Sequence, residues 1–356
     1  MDSTTARADT LAVARSSLNT GMRERARETI GLQTSVVAFL IVAITALPVF
    51  GFGSASIAGP GSVGQYAAIA SGAAAAVTFI VGRVIVAPAH ERNGSALGRA
   101  IDLSALTLAH AIIALLAWTL IAVILNEGLV GAVVFPLPVL LLSGAAAGLT
   151  AYVSYFSSTH LDLQLFATVL AVFLAVGVLA SMLTASDPNW WKDNLSALGM
   201  TDDLSAKTFN LTLIIAGVMV TSLARYATSA LPTTQGGARA VRTCLVLIGA
   251  FLACVGIFPV DQHFALHTSV ASGMAVSFGV LVISLRWWLP GVSTTFQLLG
   301  YVFVATVVVL AVLFAVGYYT LTAVELIVGV MVFAWIVLFI RAADALARDA
   351  HAAGAV

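Results

Sequence analysis

Residues 162–184, DLQLFATVLAVFLAVGVLASMLT, form a nearly continuous apolar run, and residues 187–210, DPNWWKDNLSALGMTDDLSAKTFN, form the longest polar interruption in the chain. An apolar run of about 20 residues is long enough to cross the hydrocarbon core of a bilayer as a helix. Since a backbone in lipid must satisfy its own hydrogen bonds, repeated runs of this kind predict a polytopic, all-α membrane protein. We call residues 187–210 the first polar loop.

The composition agrees with this prediction, because 60% of the 356 residues are hydrophobic and 9% are charged. Soluble domains have about 25% charged residues. The net charge is zero, so no electrostatic attraction to nucleic acid is expected. Of the 16 basic residues only Lys192 and Lys207 are lysine, which together with the many Ala, Gly and Val residues suggests a bacterial source.

Ten membrane spans are predicted from the hydropathy of the chain. They cover residues 33–53, 63–87, 103–125, 129–157, 162–184, 205–229, 239–258, 266–288, 296–317 and 320–341. The fourth span contains Pro136 and Pro138 near its start, so we expect a kink or a tilt there.

Basic residues orient the spans. All arginines fall on the side of the N-terminus and both lysines fall on the other side, which predicts cytoplasmic termini in a bacterial plasma membrane. The predicted regions are a cytosolic Arg-rich tail, a four-helix membrane region, a six-helix membrane domain and a cytosolic C-terminal tail. These regions cover residues 1–30, 31–158, 159–342 and 343–356.

The chain contains a short internal sequence repeat. The residues Ser95–Gly98 and Asp102–Ala105 recur as Ser196–Gly199 and Asp203–Ala206, at a constant offset of 101. This offset covers three spans, so the two copies would have opposite orientations in the membrane. The pattern is typical of the inverted repeats of transporters, and coincidence in a chain rich in Ala, Leu and Ser is the alternative.

Residues that begin or end helices account for many of the polar side chains in the first polar loop. Asp187 followed by Pro188 predicts a short interfacial helix over residues 188–198 that stops at Gly199. The adjacent Trp190 and Trp191 would then lie at headgroup depth. Three side chains could cap the sixth span, namely Asp202, Asp203 and Ser205.

A second polar loop, residues 258–267, is predicted on the same membrane face. Asp261 is placed to cap the eighth span. His263 and His267 are spaced i, i+4 and could hold a divalent metal with a carboxylate, or could simply form hydrogen bonds at the interface.

Glu325 lies about five residues inside the tenth span, where a carboxylate needs a partner or a cavity. Lys207, His263 and His267 are its expected partners, and a structural ion pair and a functional acid remain open. The candidate pocket on this face comprises Asp193, Asn194, Ser196, Lys207, Asn210, Asp261, His263, His267 and Glu325.

Several short motifs resemble those of a known family. Asn194–Gly199, Thr208–Asn210, Gly256–Pro259 and Leu266–His267 occur in an order similar to that of a bacterial six-helix membrane family catalogued as domain of unknown function 998. The resemblance covers about residues 160–342 and singles out three positions, Ser196, Asn210 and His267.

The motif arrangement is more distantly similar to the FGF-receptor-activating/DRAM/Sfk-type proteins, some of which act in GPI-anchor lipid maturation or membrane lipid organisation. That resemblance would imply lipid handling as the function.

Four functions remain open from the sequence. The first is lipid-headgroup binding or lipid handling at the outer leaflet. The second is a membrane hydrolase or acyl-transfer enzyme, with a His and carboxylate metal site or with Ser196 as nucleophile and His267 as base. The third is a small-solute or proton-coupled transporter, and the fourth is a structural subunit.

Overall fold

The computed structural model describes residues 3–86, 96–229 and 231–352, with side chains over residues 24–85, 96–228 and 231–350. The helices in the described residues are α1 (Ser3–Phe50), α2 (Val63–Val86), α3 (Ala96–Gly128), α4 (Pro136–Thr159), α5 (Leu163–Thr184), α6 (Leu204–Ser229), α7 (Gln235–Ile257), α8 (Phe264–Trp288), α9 (Thr294–Ala315) and α10 (Leu321–Ala352).

Ten helices within the described ranges are long and apolar enough to span a membrane. The chain is therefore an all-α, polytopic integral membrane protein, which confirms the predicted fold class and the number of spans. A small antiparallel pair of strands, β1 (Ala55–Ser56) and β2 (Val133–Val134), joins two of the interhelical connections. The orientation with cytoplasmic termini stays a prediction.

Of the kink or tilt predicted near the start of the fourth span, the kink is wrong and the tilt stays a prediction. Helix α4 begins at Pro136, so Pro136 and Pro138 both lie in its first turn. A proline is tolerated there because the first backbone N–H groups of a helix have no partner within the helix. The preceding residues 129–135 form the connection that contains β2.

The chain divides into two compact units. The N-terminal unit comprises residues 1–92 and 117–160, and the C-terminal unit comprises residues 93–116 and 161–356. Helix α3 thus contributes its first part to the C-terminal unit. Ser95 of the internal sequence repeat lies outside the described residues, and the inverted orientation of the repeat stays a prediction.

In the N-terminal unit, α4 packs against both α1 and α2. Small residues allow the close approach of α1 and α4, since a Cβ atom added to Gly144 would lie 2.9 Å from the carbonyl oxygen of Phe39. The Ser35 hydroxyl donates a hydrogen bond to the Gly148 carbonyl at 2.9 Å. Without a hydrophobic driving force between helices in lipid, such close packing stabilises their association.

In the C-terminal unit, α6 packs between α5 and α7, and α7 packs against α8. Trp335 of α10 is fully buried and lies 5.4 Å, between ring centroids, from Phe278 of α8. It also lies 5.2 Å from Phe296 of α9. This aromatic cluster joins the last three helices.

Asp203 caps α6, and it is one of the three residues that were predicted as alternative caps of this span. Its Oδ1 accepts a hydrogen bond from the Ala206 N–H at 2.9 Å, and its Oδ2 accepts one from the Ser186 hydroxyl at 2.6 Å. The Ser186 hydroxyl, followed by the Thr201 hydroxyl and the Ala206 N–H, holds the pKa of the Asp203 carboxyl well below its usual range.

We expect Asp203→Ala to lower stability at pH 7 by about 1 kcal/mol through loss of the cap. Because the pKa is depressed in the folded state, the wild-type contribution is complete above the ordinary value of 3.8 and is lost as the pH falls below it. Thermal unfolding in detergent from pH 7 down to pH 3 should show the variant converging on the wild type. A constant difference over that range would contradict this origin.

Candidate functional site

The first polar loop does not contain the predicted interfacial α-helix. It forms two single-turn 3-10 helices, Trp190–Lys192 and Leu195–Gly199, separated by Asp193 and by Asn194 in extended conformation. The Asp187 carboxylate accepts from the Asn189 N–H at 2.8 Å in an Asx turn. Asp side chains compete with helical backbone hydrogen bonds in this way, which accounts for the turn that precedes the first 3-10 helix.

Ser196 and His267 lie together at the centre of the site. The Ser196 hydroxyl oxygen is 3.0 Å from Nε2 of His267, although the two residues are 71 positions apart. His267 is buried in the first turn of α8, with 6% of its surface exposed. Ser196 lies in the second 3-10 helix and is partly exposed. The structure thus joins two of the three residues that the resemblance singles out.

The other ring nitrogen of His267 fixes the tautomer. Nδ1 lies 2.7 Å from the carbonyl oxygen of Phe258, the residue that ends α7. A carbonyl oxygen can only accept, so Nδ1 carries the hydrogen of the neutral imidazole and Nε2 has the free lone pair. Nε2 can therefore accept the hydrogen of the Ser196 hydroxyl.

Glu325 reaches the same loop, but none of its predicted partners binds it. Its Oε2 accepts a hydrogen bond from the backbone N–H of Leu195 at 2.5 Å. The carboxylate of α10 thereby positions the residue directly before Ser196. Lys207 is exposed and forms no ion pair with Glu325. Of the two alternatives left open for Glu325, the ion pair with Lys207 is wrong, because the N-terminus of the 3-10 helix supplies the donor.

Asn210, the third residue of the resemblance, holds the end of the loop. Its Nδ2 donates to the Gly199 carbonyl at 3.0 Å. A Cβ atom added to Gly199 would lie 2.4 Å from the Asn210 Oδ1 atom, so the loop needs glycine for this close approach. Asn194 Oδ1 is buried and has no hydrogen-bond partner in the part of the chain that is described.

Other members of the predicted pocket lie outside this group. The side chains of Asp193, Lys207, Asp261 and His263 are exposed and form no hydrogen bond with Ser196 or His267 in the described residues. The predicted cap role of Asp261 is wrong, because His263 is the N-cap residue of α8 and no side chain caps it. The chain turns once more after Pro259, where the His263 N–H bonds to the Pro259 carbonyl.

The residues present do not form the predicted metal site. Among the described residues, no three His, Cys, Asp or Glu side chains lie close enough together to hold a metal ion. Both nitrogens of His267 have protein partners, and the His263 ring packs edge-on against Phe258 at 5.5 Å. The pair at i, i+4 therefore does not present two free nitrogens to one ion.

A second polar cluster, in the C-terminal unit, was not predicted from the sequence. Asp102 of α3 is buried and accepts hydrogen bonds from Ser222, Arg225 and Tyr226 of α6 at 2.5, 2.5 and 3.0 Å. A cavity of about 240 Å³ adjoins Ser222 and Arg225. The available signal was the position of Arg225 within a predicted span and of Asp102 directly before another, since charges in apolar spans need partners.

We expect Asp102→Ala to destabilise the protein by about 2–3 kcal/mol, because it leaves the Arg225 guanidinium without its carboxylate. This is below the usual range of about 3–5 kcal/mol for a fully buried pair, since the Arg225 side chain is 43% exposed. Asp344→Ala is the matched control, because the Asp344–Arg348 pair is exposed and joins residues of one helix. Equal melting temperatures for the two variants would contradict a structural role of the Asp102 cluster.

Comparison with known proteins gives one match. No curated protein and no solved structure matches the chain. Residues 167–342 match the model of a family described as Protein of unknown function (DUF998). This range holds most of α5 and all of α6 to α9, and it includes Ser196, Asn210 and His267. The part of the chain that carries the Ser196–His267 contact thus resembles the DUF998 family, as its motifs predicted.

Proposed function

We propose that the chain is a membrane-embedded enzyme of the hydrolase or acyl-transfer class, with Ser196 as the nucleophile and His267 as the general base. The main observation in support of this proposal is the hydrogen bond of 3.0 Å between the Ser196 hydroxyl and Nε2 of His267. A serine hydroxyl is a weak nucleophile until an adjacent base accepts its proton. The Phe258 carbonyl takes the orienting role that a carboxylate has in many triads.

In the proposed reaction, the Ser196 oxygen attacks the carbonyl carbon of an ester and its proton passes to Nε2 of His267. The C–O bond to the leaving alcohol then breaks, and the imidazolium returns the proton to the departing oxygen. The acyl group, now on Ser196, is transferred to water or to an acceptor alcohol by the reverse sequence. Glu325 acts as a positioning residue in this scheme, because it holds Leu195 next to the nucleophile.

The depth of the site favours a lipid ester as the substrate. Ser196 precedes α6, His267 lies in the first turn of α8, and Glu325 lies in the first turns of α10. All three spans begin at one membrane face, so the site lies near headgroup depth. Trp191 is half exposed on the same loop, as expected for an aromatic side chain at the interface. Ester groups of glycerolipids occupy this depth.

The proposal can be tested with the full-length protein in vesicles of phosphatidylethanolamine and phosphatidylglycerol. Mass spectrometry should detect free fatty acid released by the wild type and by Ser269→Ala, and no release by Ser196→Ala. Ser269 is the matched control, since its hydroxyl is exposed on α8 and bonds only to the Ala265 carbonyl. Release by Ser196→Ala at the wild-type rate would contradict the proposal.

Lipid-headgroup binding without chemistry is a second candidate, and the Asn194 side chain favours it. A buried Oδ1 atom without a donor costs free energy, and a headgroup ammonium or hydroxyl could supply the hydrogen bond. In that case Asn194→Leu would weaken lipid binding while Ser196→Ala would leave it unchanged. The positive-inside rule favours a location of this site on the outer face of a bacterial plasma membrane.

A further inference from the structure

We propose that a cavity between α1 and α4 binds a zwitterionic headgroup of the phosphoethanolamine type, which carries one phosphate and one primary ammonium. The site lies entirely in the N-terminal unit and does not depend on the proposed enzyme activity. The cavity has a volume of about 210 Å³. The residues that line it include Glu24, Arg27 and Glu28 of α1 and Tyr152, Tyr155 and Phe156 of α4.

Helical spacing brings these side chains together. Glu24, Arg27, Glu28 and Gly31 recur at i, i+3, i+4 and i+7, so they share one face of α1. Tyr152, Tyr155, Phe156 and Thr159 share one face of α4 in the same way. Gly31 lets the Tyr155 ring lie close to α1, because a Cβ atom at this position would lie 3.2 Å from that ring.

Two side chains that line the cavity carry donors without a protein partner among the described residues. The Tyr155 side chain is 2% exposed, and its buried hydroxyl forms no hydrogen bond in the described part of the chain. The half-buried Arg27 side chain forms no ion pair with any described residue. A tyrosine hydroxyl that is buried without a partner is costly, and an arginine guanidinium matches phosphate geometry. Together they point to an anionic phosphate group.

The acceptors in the same cavity point to an ammonium group. Glu28 accepts a hydrogen bond from the Tyr152 hydroxyl at 2.7 Å, and its carboxylate has further capacity to accept. Glu24 lies one turn away on the same face of α1. The Tyr152 and Phe156 rings stack at 6.4 Å and add aromatic surface that attracts cations. One phosphate and one ammonium would therefore both find partners.

The dimensions fit a headgroup rather than a whole lipid, because cavities for drug-sized ligands are about 300–1,000 Å³. Acyl chains could continue along the exposed apolar side chains of the two helices, which include Leu32 and Val36 of α1 and Leu149 and Val153 of α4. The positively charged residues near this end of α1 place the cavity at the face predicted to be cytoplasmic.

The probes are a short-chain diether phosphatidylethanolamine, which has no ester to cleave, the corresponding phosphatidylglycerol, and free phosphoethanolamine. Titration calorimetry of the full-length protein should show saturable binding of the ethanolamine lipid and about tenfold weaker binding of the glycerol lipid. Equal affinity for free phosphoethanolamine would identify a soluble ligand as the source, and weaker binding of it would identify a lipid.

Tyr155→Phe and Arg27→Gln should each weaken binding of the ethanolamine lipid by about tenfold or more. Tyr155→Phe is the sharper variant, because the hydroxyl has no hydrogen-bond partner in the described part of the chain whose loss could unfold the protein. Arg25→Gln is the matched control, since Arg25 is exposed on α1 and does not line the cavity. Absence of saturable binding, wild-type affinity in Tyr155→Phe, or an equal loss in Arg25→Gln would overturn the proposal.

Discussion

His267→Asn should lower the rate of ester cleavage by about 10²–10⁴-fold, the usual contribution of a general base. Nδ2 of asparagine can replace Nδ1 of histidine as the donor to the Phe258 carbonyl, so the contact between α8 and the end of α7 is kept. No atom of asparagine replaces Nε2, which is the nitrogen that faces the Ser196 hydroxyl. The variant therefore removes the proposed base and keeps the hydrogen bond that orients it.

The measurement is fatty-acid release from vesicles together with the thermal unfolding midpoint in detergent. We expect His267→Asn to unfold closer to the wild type than His267→Ala, which loses both hydrogen bonds. Ser269→Ala, two residues further along α8, should match the wild type in both measurements. Wild-type activity in His267→Asn would show that Nε2 takes no part in the reaction.

Gly217→Val should destabilise the protein by about 3 kcal/mol or more, since overpacking at a close helix contact forces the backbones apart. A Cβ atom at Gly217 of α6 would lie 2.4 Å from the Gly249 carbonyl oxygen and 2.6 Å from the Ala253 nitrogen of α7. Both obstacles are backbone atoms, which cannot rotate away. Separation of α6 from α7 would also displace Asn210 and Phe258, so activity should fall with stability.

Gly279→Val is the matched control for this prediction. Gly279 lies in the middle of α8, and a Cβ atom there would meet nothing within 4 Å. The same change should therefore alter the unfolding midpoint only slightly, because valine has the better helix propensity. Similar midpoints for Gly217→Val and Gly279→Val would mean that the close crossing of α6 and α7 does not limit stability.

The membrane fold could be predicted because its signals are local. Each span is a continuous apolar run, and the end of α7 before Pro259 follows from a short pattern. For the cap of α6 the sequence left three candidates, of which Asp203 is the one observed. The break after Trp190–Lys192 could not be predicted, since Asp193 and Asn194 are compatible with a helix and with a turn. The choice depends on contacts of the loop with α6 and α10.

The candidate site was predicted as a set of residues but not as an arrangement. Ser196 and His267 were named, and their contact across 71 residues had no sequence signal beyond the resemblance. The partner of Glu325 is a backbone N–H, which every non-proline residue has, so composition could not identify it. Asp102 was overlooked for a similar reason, because its partners on α6 are more than 100 positions away.

Covalent trapping of Ser196 shows whether His267 activates its hydroxyl as a nucleophile. The wild-type protein in vesicles is treated with a lipid-like fluorophosphonate, which reacts with serines that an adjacent base activates. We predict one adduct, located on Ser196 by peptide mass spectrometry, and no adduct in His267→Asn. Failure of Ser196 to react, or equal reaction of Ser196 in His267→Asn, would contradict the assignment of Ser196 as nucleophile and His267 as base.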